Sequence, residues 1–167
     1  MNTVVKSFKR IRLSIYHDSS AATAVEIALI MPCFLLIIFA WIEIGFCLLI
    51  LSTLDNAARD ASRLIRTGTA TEANFKAAIC AKASPFIPCD SIVYYVQSGT
   101  SFTSLAPATA SGTGTLTKTG FNAGSSGSNI LLQVGYSKAP LSGIVSTIGF
   151  NTSILLMTTL TFQNEAY

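Results

Sequence analysis

Charge is scarce in this sequence. Only 11% of its 167 residues are charged, where soluble domains average about 25%. The shortage is local, because from position 27 to 52 the only charged residue is Glu43, which is the signature of a membrane span. The net charge of +3 is too small to imply a nucleic-acid partner, and none is expected. Histidine is nearly missing as well: His17 is the only one, and it stands in the N-terminal leader. The rest of the chain therefore has no Ser/His or Cys/His pair for nucleophilic catalysis. No glycine-rich phosphate loop follows a strand, and no metal-ligand cluster appears. These absences argue against an enzyme and against any cofactor or metal. Cysteine is sparse and of two kinds. Cys33 and Cys47 lie within the apolar run, where a thiol is ordinarily a small hydrophobe. Cys80 and Cys89 lie outside it, in "ICAKASPFIPCD". Zinc needs about four ligands, so a disulfide in an oxidising compartment is the expectation for this pair.

What the chain does have is the run "AATAVEIALIMPCFLLIIFAWIEIGFCLLIL", residues 21–51, which contains two carboxylates, Glu26 and Glu43. An ionised side chain at the bilayer centre costs roughly 2.5–3.5 kcal/mol, so either something offsets that cost or the acids lie away from the centre. Residues 21–67 read as one long helix, interrupted only by Pro32, a residue that membrane helices tolerate comparatively well. Beyond position 51 the pattern becomes "STLDNAARDASRLIRTG". There Leu54, Ala57, Ala58, Ala61, Leu64 and Ile65 form one apolar stripe. Asp55 before Arg59 and Asp60 before Arg63 have spacings that support a solvated face. Gly68 is a plausible stop. The helix thus changes from apolar all round to one-sided, as suits a rod that leaves a membrane and docks on its own globular part.

"TEANFKAAICAKASP" reads as a second, shorter helix, capped by Thr71 or Thr69 and ended by Pro85. The period then shortens to two. Residues 91–98, 129–137 and 153–163 read as strands. The stretch of about 99–128 is rich in Gly, Ser, Thr and Ala; it holds an edge strand around 115–119 or else is a flexible loop. The basic leader (Lys6, Lys9, Arg10, Arg12) favours a cytoplasmic N-terminus. A disulfide at Cys80–Cys89 would put the C-terminal part outside. The apolar run is too long for the core of an ordinary secretory signal peptide, so any cleavage should precede it.

The segment 21–68 resembles the TadE-like family, minor pseudopilins of the tight-adherence (Tad) type IV pilus system. The resemblance lies in small residues followed by Glu at "AATAVEIAL", in Pro32, in the second Glu followed by Gly at "IEIG", and in "NAARDASR". The helix and strand patterns together read as an α+β fold with a small antiparallel sheet laid against the helices, and the resemblance makes this a pilin-like lollipop. A leader (1–21) is removed, a transmembrane helix (22–51) continues as an amphipathic extension (52–67), and a periplasmic domain (68–167) contains a small antiparallel sheet. It implies cleavage by a prepilin peptidase between Ala21 and Ala22, which makes Glu26 the fifth residue of the mature chain. The family most often has Gly before the cut, where this chain has Ala21, and commonly an aromatic where it has Ile27.

A new α-amine at Ala22 would be cationic below a pKa of about 7.7–8.0. A neighbouring subunit's amine could then pair with Glu26 during assembly; otherwise Glu26 is a helix-start acid satisfied by water and dipole. Glu43 lies roughly 25 Å further along the axis. It reaches headgroups, stays neutral, or meets another subunit. The Asn56, Ala57, Ala58, Arg59, Arg63 motif is either a docking face or a well-paired amphipathic helix. The implied partners are the prepilin peptidase, other pilins and pseudopilins, Tad inner-membrane assembly proteins and the lipid bilayer. The implied location is the bacterial inner membrane, single-pass, with a role in pilus assembly and surface adherence, whether or not the chain enters the fibre. The alternative is an uncleaved single-span anchored protein that presents a small interaction module.

Overall fold

The first helix is built from residues with no β-branched or polar interruption long enough to stop it. In the computed structural model, which describes residues 19–84, 86–111, 114–140 and 153–167, α1 runs from Ser19 to Arg66 and continues through Pro32. The basic leader, His17 and Pro85 fall outside the described residues, as does the side chain of Ala21. The chain divides into two units, residues 1–42 and 43–167.

In the first unit every described side chain from 22 to 42 is exposed. Leu29 and Trp41 are each 72% exposed, and α1 is long and apolar enough to cross a membrane. An apolar surface bare on all sides of a helix is stable in lipid and not in water.

In the second unit only one face of α1 is covered. Ile50, Leu54, Ala57, Ala58, Ala61 and Ile65 are buried at helical spacing. Leu64, expected on the stripe, is half-buried. α1 ends in a Schellman turn: Gly68 takes φ +69°, its N–H reaches the carbonyl of Ile65, and the Thr69 N–H reaches that of Leu64. Any Cβ at Gly68 would also collide with the ring of Tyr167. α2 (Glu72–Ala83) starts at Thr71, whose hydroxyl accepts from the Asn74 N–H while the Asn74 side chain accepts from the Thr71 N–H. This is a capping box with Asn in the usual Glu/Gln place. Phe75, Ile79 and Ala83 of α2 are buried.

The strands are β1 (Ile92–Gly99), β2 (Gly120–Phe121), β3 (Asn129–Lys138) and β4 (Ile154–Gln163), in the order β2-β1-β3-β4. β1–β3 and β3–β4 are antiparallel, but β1–β2 is parallel. The sheet is therefore mixed, which corrects the purely antiparallel expectation. The connection 100–119 brings the chain back to the middle of β1, where Gly120 and Phe121 lie beside Tyr95 and Val96 in the same direction; only a tight hairpin would force the opposite. The edge strand expected around 115–119 is also displaced. Leu116 makes an isolated bridge to Ala110, and the pairing with β1 comes only at Gly120 and Phe121.

Strand parity sorts the core. Ile130, Leu132 and Val134 of β3, Ile92 and Val96 of β1, and Leu156 and Phe162 of β4 belong to one cluster with the buried residues of α1 and α2. Phe75 lies edge-on to Tyr94 at 5.5 Å and tilted against Phe121 at 5.1 Å. The opposite face of the sheet is covered by the low-complexity connection. Gln133, almost fully buried, holds the Ala108 backbone from both sides: its Oε1 accepts from the Ala108 N–H at 2.7 Å and its Nε2 donates to the Ala108 carbonyl at 3.3 Å. Gln97 Oε1 accepts from the Ala106 N–H at 3.0 Å.

Candidate functional site

Glu26 is exposed on α1, and among the described residues no cation pairs with it. The peptide bond between Ala21 and Ala22 lies in the opening turns of a helix whose first turn carries no acid, so little opposes fraying there.

Glu43 is placed differently. It starts the same face of α1 that carries Phe46, Cys47 and Ile50 toward the sheet. It forms an ion pair with Lys138, the last residue of β3. Both side chains are largely withdrawn from water, 14% exposed for Glu43 and 5% for Lys138. The Lys138 ammonium also stands 5.4 Å from the centre of the Phe46 ring, within cation–π range. Lys138 is the functional partner that reading the sequence missed. A signal was there: in "NILLQVGYSK" it has the same strand parity as Ile130, Leu132 and Val134, so β3 had to deliver a cation to the face that receives the helix.

"NAARDASR" splits by face. Ala57, Ala58 and Ala61 are fully buried, and their small side chains let α1 lie close to the sheet. Ser62, also buried, donates to the Arg59 carbonyl at 2.7 Å. Outside, Arg59 pairs with Asp55 at 2.7 Å. Asp60 pairs with Lys82 of α2 at 3.1 Å and not with Arg63, because α2 docks along that flank and brings a cation closer. Asn56 lines a groove of about 500 Å³ with Thr53, Arg59, Asp60, Lys82 and Phe86. The Asp55 carboxyl is held below its ordinary range, chiefly by Arg59 and further by the Thr158 hydroxyl, which donates to it at 3.0 Å. Tyr94 is shifted upward, mainly by burial and then by Glu72, whose carboxylate accepts its hydroxyl at 2.8 Å.

Cys80 and Cys89 are disulfide-bonded, with Cα atoms 5.3 Å apart; Cys33 and Cys47 are free. Among the described residues no group of three or more His, Cys, Asp or Glu side chains could hold a metal ion.

These features define a class: a small α+β module whose first helix also carries an exposed apolar segment suited to single-pass membrane anchoring. Residues 21–63 of this chain match the family model described as TadE-like protein. The matched segment contains Glu26, Glu43 and the buried alanines with their flanking arginines. No curated protein and no solved structure matches.

Proposed function

We propose that this chain is a minor pseudopilin of a Tad-type pilus. A prepilin peptidase cuts it between Ala21 and Ala22, and it acts with other pilins and the inner-membrane assembly proteins in building a pilus for surface adherence. The observation that carries this reading is the match over residues 21–63, with Glu26 near the start of a bare apolar helix. The exposed stretch 22–42 is 21 residues, or about 32 Å of helix, close to the ~30 Å of a bilayer core. In this reading Glu26 lies at the cytoplasmic boundary and the 43–167 unit in the periplasm. Once cut, the new amine of an incoming subunit answers the Glu26 carboxylate. A mis-stacked subunit leaves both charges unpaired in low dielectric, so the pair sets register.

N-terminal sequencing of the membrane-extracted protein, together with pilus counts in a Glu26→Ala strain, tests this. Ala22 as first residue, with normal insertion of the variant but fewer pili, is the expected result. An intact Met1 with normal piliation would leave an uncleaved anchored module and sink the pseudopilin reading.

A further inference from the structure

The sheet has two edges, and they are treated differently. The β2 edge is two residues long, which is one way proteins blunt an edge. The β4 edge is ten residues long, about 34 Å of strand. From 154 to 163 it contains no charge, no proline and no glycine. Among the described residues no strand pairs with its outer side. A long, uncharged edge that is unpaired among the described residues invites pairing, so its retention points to a strand that covers it.

Beside this edge runs a groove of about 320 Å³ lined by Arg59, Ser62, Arg63, Arg66, Leu160 and Thr161. Leu160 and Thr161 have opposite parity, one toward the helices and one toward the far face, so the groove wraps the strand edge itself. Its charge is one-sided. Asp55 answers Arg59, Arg66 sits over the Phe162 ring at 4.8 Å without an acid, and Arg63 has no ion pair among the described residues.

We propose that the outer edge of β4, together with Arg59, Arg63 and Arg66, is a docking surface for an extended acidic segment of a partner protein, which joins the sheet as a fifth strand. Main-chain hydrogen bonds along the edge supply affinity, and the arginines select for carboxylates at alternate positions. A second copy of this chain fits poorly, because β1, β3 and β4 contain no acidic residue. The inference rests on the fold of 43–167 and does not depend on leader cleavage or pilus assembly.

The test uses the full chain in detergent and a fluorescein-labelled peptide of about ten residues, matched to β4, that alternates valine and glutamate. Anisotropy should show saturable binding that weakens with added salt. Arg63→Gln/Arg66→Gln should weaken it about fivefold or more, and Arg63→Gln alone should act in the same direction without disturbing the Arg66 contact to Phe162. A peptide N-methylated at alternate residues should not bind, since it cannot pair with a strand edge, and this arm leaves the protein unaltered. Failure of the acidic peptide to bind, equal binding by the N-methylated peptide or by one with lysine for glutamate, or no effect of the arginine changes would overturn the proposal. So would concentration-dependent self-association abolished by Arg63→Gln, because the occupant would then be a second copy.

Discussion

Replacing Lys138 with methionine removes the cation but keeps most of the side-chain volume beside Phe46. Glu43, with 14% of its side chain exposed, would then lose the ammonium of Lys138. Breaking one partner out of such a withdrawn pair costs about 3–5 kcal/mol, whereas replacing both with apolar groups of similar size is often neutral. The unit from 43 to 167 is 125 residues, for which 1 kcal/mol moves Tm by roughly 3–6 °C. Lys138→Met should therefore lower the unfolding midpoint by about 10–30 °C. Glu43→Leu/Lys138→Met should recover most of that loss, giving a large favourable coupling in the double-mutant cycle. The assay is thermal unfolding of the full chain in detergent micelles, followed by near-ultraviolet dichroism of the tyrosines of the sheet. A midpoint for Lys138→Met within about 3 °C of the parent, less than 1 kcal/mol by the same scaling, would refute the assignment. So would a double variant as unstable as the single one.

Three other outcomes are expected. Gln133→Leu should strand the Ala108 N–H and carbonyl at a cost of about 1–3 kcal/mol, and limited proteolysis should cut within 100–119 faster than in the parent. Asp55 has a folded pKa below its ordinary 3.8, so its stabilising contribution is present above that value and is lost as pH falls through the lower folded one. The stability gap between the parent and Asp55→Asn, measured by denaturant unfolding across pH, should close below about pH 4; a gap unchanged into that range would show that the Arg59 and Thr158 contacts do not act on Asp55. Cys80→Ala/Cys89→Ala should lose about 2–3 kcal/mol from opening a short loop, and alkylation of the denatured, non-reduced parent should find these two thiols blocked.

Local chemistry made much of the fold legible. The three long strands lie within a residue or two of their β-branched and aromatic runs, and Gly68 and Thr71 punctuate the helices as their backbone preferences require. The stripe from Leu54 to Ile65 was visible because one face of a helix must be apolar to meet a sheet. What stayed hidden depends on partners far apart in the chain. Glu43 and Lys138 are separated by 95 positions, and Gln133 reaches Ala108 across 25; no local period encodes such meetings. β2 has two residues, too few for any alternation to show, and its direction is set by where the preceding connection returns. Asp60 found Lys82 only because α2 packs beside α1.

The hold of Gln133 on Ala108 has a consequence for how this surface can change over time. Two amides, Gln133 on β3 and Gln97 on β1, fix the middle of a long Gly-, Ser- and Thr-rich connection through its main-chain atoms. Ala108 and Leu116 of that covering are buried and must fit, while substitutions at its exposed positions, such as Phe102 and Pro107, can alter what the outside world meets and leave the sheet beneath in its form.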